Sequence, residues 1–405
     1  MKITGKLAAS AMALCMVLSA ASCGNKDESS SKAKTSASTT TTTTTAAETT
    51  TTAAATAAPE TVTSESQPEA PKEEEYELEY WAEDSKVKQS IVEWVNEVTD
   101  PKSDKFIPVE DRIVVSDVDG TLIGELYPAY FDYCQFVHRA LYDETYDAPQ
   151  EMKDYAHLLE EYFKTRTLPK NSATDHAKWA ALAYKGMTPE ELIDYSKEFM
   201  KSHAEGFKDL TRGDAYYWPM KSLIKYLQAH DFTVYAVSGT DRTLVRAVVC
   251  DNFGIAPNNC IGTDVTFVAS GQGDTDGLDY TYKPDDKVIF GGEYITKNLK
   301  MNKVWFIARE IGKVPVLALG NSSGDLAMGQ YTVNNPKYDA RAYMLLCDDT
   351  EREYGKLDVA EKFKKSCEEL GFTTVSMKND FATIYGMGVA LEEQPAEQDE
   401  SQAAA

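Results

Sequence analysis

IVVSDVDGTL, residues 113–122, drives an apolar run of β-branched residues into two aspartates, one residue apart, and then into a glycine turn. Successive residues of a strand point to opposite faces. Asp117 and Asp119 can therefore serve one site only if the chain leaves the strand between them. Two carboxylates aimed at one point make an anionic pocket suited to Mg²⁺, which prefers hard oxygen ligands. One carboxylate can attack phosphorus while the other, kept protonatable, serves the leaving oxygen. Taken alone, the same residues could be an acidic junction between a strand and its turn.

Further along the chain the pattern repeats. FTVYAVSGT (232–240) ends an apolar run at Ser238, and VPVLALGNS (314–322) ends another in a glycine-flanked loop that places Asn321 and Asp325 four residues apart. Helical patterns such as SKVKQSIVEWVNEV and PMKSLIKYLQAH precede the β-rich runs. AEKFKKSCEELG followed by FTTVSM suggests a further αβ unit. This alternation predicts an α/β fold with an open, mostly parallel sheet and a site at the carboxyl ends of its strands. Residues 125 to about 212 carry helical patterns and aromatics without a comparable strand run, and are expected to form a helical insertion. Singly, Ser238 reads as a turn residue or cap, Lys303 as a solvated lysine, and Asn321 with Asp325 as a polar loop opening a helix.

Of the 405 residues, 42% are hydrophobic, enough for a substantial core, and the formal charge of -24 argues against nucleic acid or an anionic membrane as a partner. The termini read differently. Lysines at 2 and 6, an apolar stretch from Leu7 to Leu18 and small residues up to Cys23 form the pattern of an export signal over 1–22. The Ala-Ala-Ser run before Cys23 resembles a lipobox, which implies lipidation of that thiol, with alanine in place of the usual leucine three residues before it. Residues 23–75, rich in Thr, Ala, Ser and Pro, cannot bury enough to repay ordering and should form a disordered tether. A domain over 76–388 and a disordered acidic tail over 389–405 complete the expected layout. The protein is then expected at the extracellular face of the cell membrane, held only through Cys23, or secreted.

The ordered set DVDGT, SGT, the later lysine and GNSSGD resembles the four motifs of haloacid dehalogenase-like hydrolases, in the branch similar to phosphoserine and phosphocholine phosphatases. The resemblance implies a Rossmann-like core with a helical cap inserted after the first strand, and a Mg²⁺-dependent phosphatase acting on a small phosphomonoester. It makes Asp117 the nucleophile that forms an aspartyl-phosphate and Asp119 the general acid and then base. Thr121 orients the site, Ser238 and Gly239 bind the transferring phosphoryl group, and Lys303 balances the charge. Asp117, the backbone carbonyl of Asp119, Asn321 and Asp325 hold Mg²⁺. Many members carry aspartate where this chain has Asn321, an uncharged ligand that weakens the cation's hold. The second aspartate argues for phosphate esters over carbon–halogen bonds, since a halide needs no proton.

Substrate choice should lie in the cap. Glu125 could present an anion to a cationic headgroup or simply be solvated. Trp179, Tyr184, Tyr216, Tyr217 and Trp218 could wall a quaternary ammonium group, although core packing is the better reading for aromatics of this size. The five histidines show no metal spacing. SGQGDTDGLDY (270–280) reads as a hairpin tip. The five cysteines beyond Cys23 are expected mainly as free thiols, with Cys250 and Cys260 the one close pair. A binding lipoprotein that keeps the fold without turnover is the competing reading. Binding alone requires neither a nucleophile nor an acid.

Overall fold

The computed structural model describes residues 77–124 and 129–392. The export signal, Cys23, the Thr-rich tether, Glu125 and residues 393–405 of the expected tail lie outside the described residues. At the centre is a seven-stranded sheet: β1 (Ile113–Ser116), β3 (Thr233–Asp241), β4 (Cys260–Ala269), β5 (Val288–Thr296), β6 (Leu317–Gly320), β7 (Arg341–Leu346) and β8 (Thr373–Ser376). Their order is β5-β4-β3-β1-β6-β7-β8, and only the edge strand β5 runs antiparallel to its neighbour. A two-residue β2 (Phe207–Lys208) pairs with β9 (Ala390–Leu391) apart from this sheet. The α/β class and the mostly parallel sheet are as the alternation predicts.

β1 is buried along its whole length because it is flanked by β3 and β6. The chain builds outward from β1 first on the β3 side and later on the β6 side. The crevice where the direction reverses is where an open α/β sheet accepts ligands. Helices cover the sheet: α1 (Lys86–Thr99), α6 (Trp218–Ala229), α7 (Arg242–Phe253), α8 (Met301–Glu310), α9 (Leu326–Val333), α10 (Leu357–Glu369) and the short α11 (Met377–Asp380). α1 shows the logic of the sequence pattern. Ser85 caps it by accepting from the amide of Lys88, and Ile91, Trp94, Val95 and Val98 recur at helical spacing to face the core.

Between β1 and α6 lie α2 (Phe131–Val137, continuing through a π turn at His138–Tyr142), α3 (Gln150–Thr165), α4 (Ser172–Ala183) and α5 (Pro189–Phe199). α2 and α3, with the end of α4, pack on a core of their own that includes Phe136, Met152, Tyr155 and Leu159, while α5 packs against α7. The chain enters and leaves this insertion through one neck: the amide of Gly124 donates to the Ala215 carbonyl, and that of Tyr217 to the Leu122 carbonyl, each at 2.8 Å.

Three strands of the central sheet were not foreseen, namely β4, β5 and β7, and neither was the β2–β9 pair. SGQGDTDGLDY falls in the connection between β4 and β5. The carboxyl-terminal boundary also differs, because Ala390–Leu391, expected in the tail, is held by backbone pairing to β2 and by the Glu392 amide donating to the Gly206 carbonyl at 2.7 Å. All five cysteines among the described residues are free, and the sulfurs of Cys250 and Cys260 lie 3.9 Å apart. No helix among the described residues is long and apolar enough to cross a membrane.

Candidate active site

The parallel register carries the candidate residues to one end of the sheet. Ser116 lies level with Ala236 of β3 and Leu319 of β6, so Asp117, Ser238 and Asn321 follow within two residues on three adjacent strands. The Asp117 amide still belongs to the sheet, donating to the Leu319 carbonyl at 2.9 Å. Beyond it the chain leaves the strand. Gly120, with φ of 76°, takes a left-handed conformation that lets the amides of Thr121, Leu122 and Ile123 all reach the Val118 carbonyl. This turn brings Asp119 back beside Asp117.

Lys303 joins the carboxylates. It is 1% exposed, and its ammonium donates to Asp117 Oδ1 at 2.5 Å and to Asp325 Oδ1 at 2.6 Å. Asp325 is fixed from its other side, where Oδ2 accepts from the amides of Asn321 and Ser322 and from the Ser322 hydroxyl, each at 3.1 Å. The approach is close enough to require glycine at 320, since a Cβ there would lie 2.6 Å from the Asp325 Cβ. Asp117 Oδ2 accepts no hydrogen bond among the described residues.

Asp119 has a different setting. Its Oδ2 accepts from the Ser238 hydroxyl at 3.2 Å and from the Thr240 hydroxyl at 3.0 Å. Burial, and secondarily the charge of Asp132, raise its pKa to about 6, against these hydrogen bonds. Burial followed by the charge of Asp325 raises Asp117 to about 7, although Lys303 opposes the shift. For Lys303, burial favours the neutral form, but the two carboxylates outweigh it and hold the pKa above the ordinary lysine value.

Asp117, Asp119, Gly239, Lys303 and Asp325 line a cavity of about 190 Å³. The opposite wall comes from the insertion and includes Tyr130, Asp132, Tyr133 and Ser172. Ser238 and Thr121 are fully buried behind this surface. Asn321 lines a neighbouring cavity of about 410 Å³, with its amide oxygen 3.4 Å from the Thr121 hydroxyl. Glu125 lies outside the described residues. None of Trp179, Tyr184, Tyr216, Tyr217 and Trp218 lines the cavity at Asp117; Tyr217 is wholly buried in the main core and Tyr184 packs under the insertion. The aromatic wall for a cationic headgroup is thus absent from these residues, and packing is their role.

Several residues at the site escaped the sequence reading. Thr240 and Ser322 are neighbours of the motifs and could have been found by asking which nearby hydroxyls reach the carboxylates. Lys297, Asp132 and His176 had no local signal. Asp132 is buried in α2, and its Oδ2 lies 3.1 Å from Nε2 of the buried His176 on α4.

The donor set suits a divalent cation that keeps part of its water. No group of three His, Cys, Asp or Glu side chains among the described residues forms a ready cage for a metal. Mg²⁺ seldom needs one, because it is commonly held by one or two carboxylates and keeps several waters. Three buried carboxylates here face one contacting ammonium, and their mutual repulsion contributes to the raised pKa of Asp117. Two carboxylates with a free oxygen on Asp117 fit a hard cation.

The family model described as haloacid dehalogenase-like hydrolase matches residues 114–330, more than half of the chain. No curated protein matches the chain. Among solved structures, a functionally unknown protein from Anaerococcus prevotii is 16% identical, with 72% of this chain and 91% of that one covered at a TM-score of 0.43. Cytosolic 5'-nucleotidase IIIB bound to cytidine is 11% identical over 72% of this chain and 85% of its own, with a TM-score of 0.40. A phosphoserine phosphohydrolase-like protein from Francisella tularensis is 12% identical over 65% and 94%, with a TM-score of 0.34.

Proposed function

Because the chain belongs to the haloacid dehalogenase-like hydrolases, we propose that it is a phosphatase that hydrolyses a small phosphomonoester through an aspartyl-phosphate on Asp117. The observation that carries this reading is the convergence of Asp117 and Asp119 on one small cavity in two unlike environments. Asp117 is ion-paired through one oxygen to Lys303 and keeps the other without a hydrogen bond, as an attacking carboxylate requires. Asp119 is held by two hydroxyls and has its pKa raised toward neutrality, which suits a group that gives a proton and later takes one.

In the first step an Asp117 oxygen bonds to phosphorus as the bond to the leaving oxygen breaks, and the Asp119 proton passes to that oxygen. In the second, ionised Asp119 takes a proton from water, whose oxygen displaces Asp117 and releases inorganic phosphate. Lys303 offsets charge on the phosphoryl oxygens and on Asp117, with Ser238 and Gly239 at the phosphoryl-binding loop. Thr121 braces the turn through Asn321. Asp117, the Asp119 carbonyl, Asn321 and Asp325 would hold Mg²⁺, which when bound neutralises phosphoryl oxygen charge. The export signal pattern and Cys23 support placing this activity at the outer face of the cell membrane on a lipid anchor.

The test is phosphate release from a panel of small phosphomonoesters with Mg²⁺ or EDTA. Metal-dependent release that disappears in Asp117→Asn supports the reading. A folded protein that binds a panel member but never releases phosphate overturns it in favour of a binding lipoprotein.

A further inference from the structure

Two lysines reach the carboxyl end of the sheet, and they are held in opposite ways. Lys303 is locked between two carboxylates. Lys297, in the loop between β5 and α8, lines the same cavity, yet its ammonium makes no ion pair within 4.0 Å among the described residues.

Its backbone is held firmly. The Lys297 carbonyl accepts from the Asn302 side chain at 2.9 Å. The next residue, buried Asn298, donates through its side chain to the Ser238 carbonyl at 3.0 Å and through its amide to the Thr263 hydroxyl at 3.2 Å. The loop is thus tied to the strand end that carries Ser238 and Thr240. The lysine stem runs along this strand end, because a Cβ on Gly239 would lie 3.9 Å from Lys297 Cε. A positive charge without a contacting partner is costly where water is limited. Burial accordingly lowers the Lys297 pKa, while Asp132, Asp119 and Asp241 oppose that shift from a distance.

The side of the cavity on which this charge acts is also defined. The loop that carries Lys297 is tied through Asn298 to the strand end whose Ser238 and Thr240 hydroxyls hold Asp119, and the Lys297 charge acts on Asp119 and Asp132. It therefore stands on the proton donor's side. In an in-line displacement the proton donor marks the leaving group, opposite the attacking carboxylate. Asp132, the carboxylate across the cavity, is engaged by His176. The ammonium remains available to the substrate.

We infer that Lys297 is a specificity-determining residue: it selects phosphomonoesters whose leaving group carries a second anionic group, a carboxylate or another phosphate, close to the ester oxygen. The cavity of about 190 Å³ suits a compact leaving group. This rests on the phosphatase reading above and deepens it. It also opposes the cationic headgroup that the cap aromatics suggested, since an ammonium ester would bring like charge to Lys297.

The experiment compares kcat/KM for phosphoglycolate, propanediol bisphosphate, ethylene glycol monophosphate and phosphocholine, with p-nitrophenyl phosphate as a general substrate. Wild type, Lys297→Met and Lys297→Arg are measured at equal Mg²⁺. Wild type should prefer the two esters whose leaving group carries an anionic group, with carboxylate and phosphate resolved by the separate arms. Lys297→Met should lower their preference over ethylene glycol monophosphate by about tenfold or more, chiefly through KM, as loss of one charge contact implies. Lys297→Arg should restore part of it. A fall by one common factor for all esters overturns the inference and makes Lys297 a phosphoryl or structural residue. Turnover by wild type without charge preference overturns it alone; no turnover of any ester overturns the phosphatase reading with it. Should Lys297→Met fail to fold, calorimetric binding of phosphoglycolate and ethylene glycol monophosphate to Asp117→Asn, with and without Lys297→Arg, takes its place. Equal affinity for both ligands overturns the inference.

Discussion

The two walls of the cavity are built by different means. The core wall is a set of strand ends: Asp117, Asp119 and Asp325 follow parallel strands directly or in their loops, and their carboxylates are held by amides, by hydroxyls such as that of Thr240 at the end of β3, and by one buried ammonium. The wall from the insertion consists of helix side chains whose positions depend on how α2 and α4 pack, with Asp132 and His176 meeting 44 positions apart in sequence. The strand-end wall is fixed by local backbone geometry and suits invariant chemistry. The helical wall meets the sheet mainly at its β4–β5 edge and can change without disturbing the strand ends of β1, β3 and β6, so this wall is where substrate choice is free to vary.

The largest test of this division is at the nucleophile. Asp117→Asn keeps the shape but removes the attacking charge, so phosphate release should fall by at least about 10³-fold with the fold retained by circular dichroism. Substantial residual turnover would show that the core wall does not carry the chemistry. Next comes Lys303→Met, which leaves Asp117 and Asp325 buried without their shared ammonium. Breaking such a buried pair costs about 3–5 kcal/mol, to be read from denaturant unfolding without metal. Mg²⁺ should recover part of the loss if the same carboxylates bind it. A loss unaffected by Mg²⁺ would count against that ligand set.

The helical wall predicts a smaller effect. Asp132→Asn weakens a buried hydrogen bond with a neutral-prone histidine, whose pKa is lowered by burial against the pull of Asp132. The expected cost is about 1–3 kcal/mol of stability, with a larger change in the ratio of rates between substrates than in the rate on any one general substrate. Equal loss on all substrates would erase the distinction between the walls.

The same division explains what could be read in the chain. DVDGT, SGT and GNSSGD are strand-to-loop patterns a few residues long, so the sequence already placed Asp117, Ser238 and Asp325 at strand ends, and a parallel sheet then brings those ends together. Lys303 needed the family resemblance, because a lysine on a helix carries no mark of burial. Lys297, Asp132 and His176 were illegible because their meeting depends on the tertiary path of a hairpin and two helices. The missed strands have local causes. RAYMLL in β7 is a short apolar run that periodicity cannot tell from a helix, and β5 is interrupted by Gly291-Gly292.

A last and smaller effect separates perturbed acidity from catalysis. Glu353 is fully buried, accepts from the Tyr354 amide at 2.7 Å and pairs with the Tyr385 hydroxyl, away from the cavity at Asp117. Burial raises its pKa to about 7, so it resembles Asp119 in acidity without sharing its neighbours. The folded protein then keeps this proton between about pH 4.5 and 7 while the unfolded chain releases it. With fewer protons bound in the unfolded state, stability must fall as pH rises through that window, by at most about 1.4 kcal/mol per pH unit from this group. Glu353→Gln should flatten that part of the decline in Tm between pH 5 and 7, and should leave the pH dependence of kcat unchanged. An unchanged Tm profile would mean that Glu353 ionises freely in the fold. A shifted kcat profile would tie Glu353 to the active site, and acidity alone would then no longer separate a buried structural carboxyl from the proton donor.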